Sequence, residues 1–306
     1  MKKIIVCLLA CVCAAPAFCA PKNLPKAEII IIESAEHAVG QEDPLLTKGL
    51  GQFLGAELTV TKMTPAQAAK EESLATVEYD FLPFYLIRKT NAVREKFAEP
   101  LAAGYLEETE EYILLPHQTR TGVYTNKKGE ENVLELFVMS QCPYGVMAES
   151  AIVQAMKDGT FPKDKKVRIR YIVNYDENRG FSSLHGSGEW EEDVRQLLIA
   201  KYYPSKLWKY LEIRNKDYRS SRWDKAMEDA GINVSKITKK FDSEGLELLK
   251  EEAAYGNVYG ISASPTFLWE GKAVLDFGSA AQIPGLEFLN PSSGKKGKVA
   301  VPAGSC

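Results

Sequence analysis

Apolar and polar positions alternate with two different periods along the first part of the chain. The run AEIIII (residues 27–32) is typical of a buried strand, whereas DPLLTKGLGQFLG places its leucines and its phenylalanine at helical spacing. The next stretch, AELTVTKM, alternates as a strand does. We therefore expect a β-α-β unit, continued by a helix that begins at Thr64 and Pro65 and by a strand, DFLPFYLIRK, with Pro83 at its entrance.

The same pattern begins again after a polar stretch at residues 125–132, which we interpret as a linker. NVLELFVMS predicts a strand, PYGVMAESAIVQAMKDG a helix that ends at Gly159, and KVRIRYIVNYD the next strand. The last strand of the pattern is PTFLWEG. Between these strands, residues 181–255 show mostly helical periodicity and predict a helical insertion.

These patterns predict an α/β protein with two tandem domains, a fold class in which strands and helices alternate along the chain. The first domain would span residues 21–128 and the second residues 129–290, with the insertion inside the second. Residues 291–306 are rich in Ser, Gly, Lys and Pro and predict a flexible tail that ends at Cys306.

The first twenty residues, MKKIIVCLLACVCAAPAFCA, have two lysines, a short apolar run and small residues, which is the layout of a secretory signal. The apolar run is too short to span a bilayer, and no later segment is long enough. Cleavage after Ala17 would leave Cys19 on the mature chain, whereas cleavage after Cys19 would remove it. A lipoprotein reading, with LLAC ending at Cys11, is the alternative. We expect an exported protein, periplasmic or secreted.

Charge gives no reason to expect a polyanionic partner. The formal net charge is -3 and the isoelectric point is about 5.8, so neither nucleic acid nor an anionic membrane would attract the protein as a whole. The three histidines, His37, His117 and His185, do not have the spacing of metal ligands. We therefore expect no nucleic-acid partner, no metal and no cofactor.

Cysteine usage directs attention to two thiols. Four of the six cysteines lie in or beside the signal, at Cys7, Cys11, Cys13 and Cys19, which leaves Cys142 and Cys306. Export permits disulfides, but this pair does not make the framework of a disulfide-stapled fold. The chemical reactivity of these two cysteines is therefore more informative about function than disulfide pairing.

Cys142 stands where a strand meets the start of a helix. The free N–H groups and the dipole of a helix N-terminus stabilise a thiolate, so a cysteine there is a candidate nucleophile. Pro143 suits the first helical turn because it lacks an N–H that the helix could not use. The alternative is a small buried hydrophobic residue, the ordinary role of an isolated cysteine.

A second feature is Ser264-Pro265, directly before an apolar strand, a place where a cis peptide bond is a candidate. Together with C-P-Y-G at Cys142, Pro143, Tyr144 and Gly145, residues 133 to about 288 resemble the thioredoxin superfamily. The resemblance implies that the cis-proline loop lies against the active cysteine and offers backbone hydrogen bonds to a bound peptide. C-P-Y-G is similar to the glutaredoxin dithiol motif with its second cysteine replaced by Gly145.

The sequence of the predicted insertion resembles particular families within the thioredoxin superfamily. SLHGSGEWEEDVRQLL is similar to the signature of the gamma-interferon-inducible lysosomal thiol reductases, C-Q-H-G-x-x-E-C-x-x-N-x-x-x-x-C, and it retains His185, Gly186 and Glu189 in register. Its three cysteines are absent, and Asp193 stands for the asparagine. DsbA-type periplasmic oxidoreductases share the plan of a thioredoxin core with a helical insertion. We expect Glu189 to be a first-turn carboxylate and His185 either a helix-entry residue bonded to backbone or an acid-base group.

The first half also resembles a thioredoxin fold, in degenerate form. Where an active cysteine would sit, the sequence has Glu36 and His37, and Pro83 would be the counterpart of the cis-proline. We expect this half to bind peptides or to form a dimer.

These features predict a thiol-disulfide oxidoreductase, a reductase or an isomerase, that acts on cysteine-containing peptides or proteins through Cys142. A second thiol must release the product, and an external small thiol, the substrate's own cysteine or Cys306 on its tail would each serve. Cys306 would alternatively cross-link two chains. The competing hypothesis is a non-catalytic peptide-binding protein or chaperone that keeps the fold.

Overall fold

The computed structural model describes residues 24–116 and 121–290. The predicted signal, His117 and the tail with Cys306 therefore lie outside the described residues, and the expectations about them stay predictions. Within the described residues, no helix is both long enough and apolar enough to cross a membrane.

Strands and helices alternate along most of the chain, so the predicted α/β class is confirmed. The strands are β1 Lys26–Ile32, β2 Glu57–Met63, β3 Phe81–Leu82, β4 Phe84–Arg88, β5 Glu107–Glu108, β6 Tyr112–Leu115, β7 Gly122–Tyr124, β8 Val133–Val138, β9 Lys166–Tyr171, β10 Asn174–Asp176, β11 Gly180–Ser182, β12 Thr266–Trp269 and β13 Ala273–Leu275. The helices are α1 Pro44–Leu54, α2 Pro65–Ala68, α3 Asn91–Lys96, α4 Ala98–Ala102, α5 Pro143–Lys157, α6 Ser187–Tyr202, α7 Leu207–Arg214, α8 Trp223–Asp229, α9 Val234–Lys240, α10 Leu246–Val258 and α11 Phe277–Ala280.

Two compact units make up the chain, and each is built from separate segments. The first unit contains the described residues up to Ile31 together with Asp43–Lys62 and Leu86–Leu115. The second contains Ile32–Glu42, Met63–Tyr85 and the chain from Pro116 onward. The sequence division assigns all of residues 21–128 to one domain, whereas β3 and β7 of that range are hydrogen-bonded into the sheet of the second unit. The division into two tandem thioredoxin-like domains stays a prediction.

The sheet of the second unit has the strand order β3-β7-β13-β12-β8-β9. Strand β8 runs parallel to β9 and antiparallel to β12, and β12 runs antiparallel to β13. Every residue of β8 and β12 is buried, and all of their side chains are apolar except those of Glu135 and Thr266. The sheet of the first unit has the order β2-β1-β4-β6-β5.

The predicted insertion forms five helices, α6 to α10, between β11 and β12. Aromatic packing contributes to its core, since the Trp190 ring lies 5.7 Å from that of Phe181 and the Arg195 guanidinium lies 4.3 Å from the Trp223 ring centroid. A buried polar network adds to this packing, because the Glu192 carboxylate accepts hydrogen bonds from Tyr210 Oη at 2.7 Å and from Gln196 Nε2 at 3.0 Å.

Candidate functional site

Cys142 lies at the N-cap of the 15-residue helix α5, between that helix and β8. Its carbonyl accepts a hydrogen bond from Val146 N–H at 2.9 Å, its own N–H donates to Met139 O at 2.9 Å, and Pro143 occupies the first turn. The side chain is completely buried, with 0% of its surface exposed, and it is the free cysteine of the described residues. The helix start therefore holds the Cys142 side chain in a buried position.

The loop before β12 reaches the thiol. The Ser264–Pro265 peptide bond is cis, and the Cys142 Sγ lies 3.5 Å from the Ser264 carbonyl oxygen, to which it can donate. The Ser264 hydroxyl accepts a hydrogen bond from Met139 N–H at 3.0 Å. The structure thus brings Cys142 together with Ser264 and Pro265, which lie more than one hundred residues further along the chain.

Gly145, where a dithiol motif has its second cysteine, is buried against the same loop. A Cβ atom on Gly145 would lie 2.5 Å from Ser264 Oγ, 3.2 Å from Met139 O and 3.3 Å from Val138 Cβ. Each of these distances is shorter than an ordinary van der Waals contact. The site is therefore packed around a glycine, and the Ser264 hydroxyl occupies the space that a side chain would need.

Glu189 connects the insertion to the loop that carries the thiol. Its Oε1 accepts a hydrogen bond from Gln141 N–H at 3.0 Å and lies 2.7 Å from His185 Nδ1, while its Oε2 accepts from His185 N–H at 3.3 Å. Its backbone carbonyl accepts a hydrogen bond from the Ser140 hydroxyl at 3.2 Å. The Glu189 side chain is 0% exposed. Glu189 is thus in the first turn of α6, as predicted, and its buried carboxylate also connects two segments of the chain.

The retained signature residues His185, Gly186 and Glu189 form one local structure. Gly186 has a φ of 92°, a conformation that side chains other than glycine rarely adopt, and its N–H donates to Ser183 O at 3.2 Å. This turn brings His185 back over the first turn of α6, where its ring and its N–H meet the Glu189 carboxylate. Tyr144 is half-buried at the start of α5.

Buried carboxyl groups surround the base of this site. Burial raises the pKa of Glu149 to about 8, opposed by a hydrogen bond from Asn215 and reinforced by the charge of Glu192. Burial likewise raises the pKa of Asp193 well above its ordinary range, and the charges of Glu189 and Glu192 reinforce that shift. From the sequence, Glu149 is not identified and Asp193 is named only as the counterpart of the asparagine, because helical periodicity does not show which polar side chains are buried. The backbone N–H of Gln141 carries no sequence signal at all.

Glu36 and His37 have ordinary structural surroundings. The Glu36 carboxylate accepts a hydrogen bond from Lys272 Nζ at 2.8 Å, which lowers its pKa, and burial lowers the pKa of His37. The Leu82–Pro83 peptide bond is cis, as is the Ser264–Pro265 bond, to whose proline Pro83 was predicted to correspond. Among residues 24–116 and 121–290, no three His, Cys, Asp or Glu side chains are grouped to hold a metal ion.

No family model matches the chain, and no curated protein sequence matches it. Solved structures that are similar include oxidised BdbD from Bacillus subtilis, which is 16% identical, covers 49% of this chain and 83% of its own, and has a TM-score of 0.37. The disulfide oxidoreductase DsbA from Proteus mirabilis is 12% identical, with 57% and 92% covered and a TM-score of 0.39.

Another structure of Proteus mirabilis DsbA contains a non-covalently bound peptide. It is 13% identical, with 57% of this chain and 92% of that chain covered, and a TM-score of 0.37. The structural neighbours are thus DsbA-type disulfide oxidoreductases. At these low identities and TM-scores the likeness carries no functional argument, so the function is inferred from the geometry around Cys142.

Proposed function

We propose that the protein is an exported thiol-disulfide oxidoreductase whose single nucleophile is Cys142. The observation that carries this proposal is the position of the Cys142 sulfur. Cys142 is the N-cap of a long helix, and its Sγ lies 3.5 Å from the carbonyl oxygen of Ser264 in the Ser264–Pro265 loop. Position 145 is a glycine, so it offers no second thiol. A helix N-terminus favours a thiolate, which is the attacking form in disulfide exchange.

The exchange proceeds in balanced steps. The Cys142 thiolate attacks one sulfur of a substrate disulfide R–S–S–R′; the bond from Cys142 to R forms, the substrate bond breaks, and R′ leaves as a thiolate. When the second thiolate belongs to a small thiol or to the substrate, it attacks the sulfur of R, forms a new disulfide with it and returns Cys142 as a thiolate. When it belongs to Cys306, it attacks the Cys142 sulfur, R leaves as a thiolate, and a small thiol then reduces the Cys142–Cys306 disulfide. The substrates are cysteine-containing peptides or proteins, and the second thiolate comes from a small thiol, from the substrate or from Cys306.

Reduction of a peptide disulfide by a small thiol tests the proposal. Wild type is expected to accelerate the reaction, and Cys142→Ser to lower the rate at least about 100-fold, to the uncatalysed background. A matched control is Cys306→Ser, which keeps the attacking thiol. A Cys142→Ser protein that still accelerates the reaction would rule out Cys142 as the nucleophile.

The release step has its own experiment. If Cys306 resolves the mixed disulfide, Cys306→Ser accumulates adducts at Cys142 that wild type does not, and intact-mass analysis under non-reducing conditions detects them. Equal adduct levels in the two proteins would assign release to an external thiol or to the substrate.

The burial of the thiol favours a second candidate, a non-catalytic peptide-binding protein. Cys142 is 0% exposed and Gly145 is enclosed, which is also how a structural cysteine packs. This function predicts peptide binding that survives Cys142→Ser without any disulfide turnover, so titration of a cysteine-free peptide distinguishes the two.

A further inference from the structure

The thiol that the proposed function requires is buried in the structure, and the insertion is hydrogen-bonded to the segment that carries it. Residues 139–142, here called the cysteine loop, join β8 to α5. Cys142 has no exposed surface, and disulfide exchange needs direct contact between sulfurs. Access to the thiol therefore depends on what holds the neighbouring elements against this loop.

The insertion supplies that attachment at the start of α6. Ser140 and Gln141 both hydrogen-bond to Glu189, one to its carbonyl and one to its carboxylate. A Cβ atom on Gly188 would lie 3.2 Å from Gln141 Nε2, so this helical turn approaches the cysteine loop closely. Arg219 adds a longer contact, from Nη2 to Gln141 O at 3.4 Å. Glu189 accepts both of the hydrogen bonds that come from Ser140 and Gln141.

The chemistry of the Glu189 contacts makes them strong and specific. A hydrogen bond to a carboxylate is stronger than one between neutral groups, and a buried carboxylate that loses its partners is costly. His185 completes the arrangement by bonding the same carboxylate through its ring and its N–H. None of these contacts involves the sulfur, so Glu189 acts on Cys142 only through Ser140 and Gln141.

We propose that Glu189, held by His185, is a positioning residue that latches the insertion onto the cysteine loop and sets how often Cys142 is exposed to substrate. The inference rests on the proposed function for its biological meaning, because it concerns access to the nucleophile. It goes beyond that function by assigning a role to the three signature residues that contain no sulfur.

Alkylation of native full-length protein by iodoacetamide measures this access. Mass spectrometry of the Cys142 peptide separates its labelling from that of Cys306. The labelling rate follows the population of open protein when opening is fast and reversible. Loss of a charged hydrogen bond predicts that Glu189→Ala labels at least about tenfold faster than wild type. Glu189→Gln keeps an acceptor for Gln141 N–H and is expected to label within about threefold of wild type.

The matched control is Glu192→Ala. Glu192 is a carboxylate on the same helix and only 1% exposed, but its hydrogen bonds go to Tyr210, Gln196 and Arg195 and not to the cysteine loop. Its labelling rate is expected to stay within about threefold of wild type although its melting temperature falls. Equal acceleration in Glu189→Ala and Glu192→Ala would show general loosening and overturn the proposal, as would an unchanged rate in Glu189→Ala.

A milder variant covers the case in which Glu189→Ala does not fold. His185→Ala removes one support of the carboxylate from a side chain that is 18% exposed, and labelling about threefold faster than wild type is expected. An unchanged rate in a folded His185→Ala protein would contradict the latch. Labelling reports access whether or not exchange occurs, so a protein that labels as expected but fails to reduce disulfides disproves the function and not the latch.

Discussion

The two units arrange their first strands in the same order around different chemistry. In the first unit β1 lies between β2 and β4, and in the second β8 lies between β9 and β12. In each set, a proline with a cis peptide bond before it precedes one strand directly: Pro83 precedes β4, and Pro265 precedes β12. These three strands have the same order in the two sheets, and the sheets differ in the segment by which the middle strand of the three passes into the helix that follows it.

The connection between that strand and that helix differs in length and in its last residue. Residues 33–43 join β1 to α1, and Asp43 caps α1 by accepting a hydrogen bond from Leu45 N–H at 2.8 Å. Residues 139–142 join β8 to α5, and Cys142 is the N-cap without a side-chain hydrogen bond to the helix. One helix start is thus capped by a carboxylate, and at the other the side chain of the capping residue makes no hydrogen bond to the helix.

The largest expected effect is on the pH dependence of stability, and it comes from the buried carboxyl group of Glu149. Helix α5 buries Glu149, whereas α1 buries only Leu54. Because the pKa of Glu149 is raised to about 8, the folded protein keeps a proton that the unfolded chain has lost above pH 4.5. Stability should therefore fall as pH rises from 5 to 8, by an amount of the order of 3 kcal/mol.

Glu149→Gln should remove that dependence, which chemical denaturation at the two pH values measures. Glu212→Gln is the control, because hydrogen bonds from Lys157 and Lys209 lower the pKa of Glu212 to about 2, outside this range. Parallel pH profiles for wild type and Glu149→Gln would show that Glu149 is ionised in the folded protein and would contradict the argument.

A smaller effect is expected at Gly145. A methyl group there would meet Ser264 Oγ at 2.5 Å, so Gly145→Ala should cost about 1–3 kcal/mol in overpacking. Combined with Ser264→Ala, the loss should be less than the sum of the two single changes, because the contact is shared. The control is Gly256→Ala, a helical position of α10 with open space around the new methyl group, which should gain about 0.5–1 kcal/mol. Additive effects at 145 and 264 would contradict the proposed packing.

The smallest effect is expected at the N-cap of α1, Asp43. Asp43→Ala should cost about 1 kcal/mol, and Asp43→Asn only a few tenths, because asparagine is also a good N-cap. Hydrogen exchange of the α1 amides reports the change locally. Peptide-disulfide reduction should be unchanged in both variants, and a loss of activity in Asp43→Ala would show that the two helix starts are coupled.

The framework was accessible from the sequence because its signals are local. Continuous apolar runs such as AEIIII and FVMS mark buried strands, and proline before an apolar run marks the strand entrance. The surroundings of Cys142 were not accessible, because the contacts of Glu189 with Gln141 and of Gly145 with Ser264 join distant segments. The sequence pattern also does not show that β3 and β7 join the sheet that contains β8, since periodicity cannot tell which sheet a short strand joins.

The central claim is that the folded protein makes Cys142 an effective nucleophile towards disulfides. The most direct measurement is whether Cys142 of the folded protein forms a mixed disulfide with a peptide disulfide, with the urea-unfolded chain as the control for an intact thiol. The account predicts that the folded protein forms this mixed disulfide at Cys142, through the transient exposure of the thiol. A folded protein that forms none, while the unfolded chain does, would contradict the claim and would favour a binding protein with a structural cysteine.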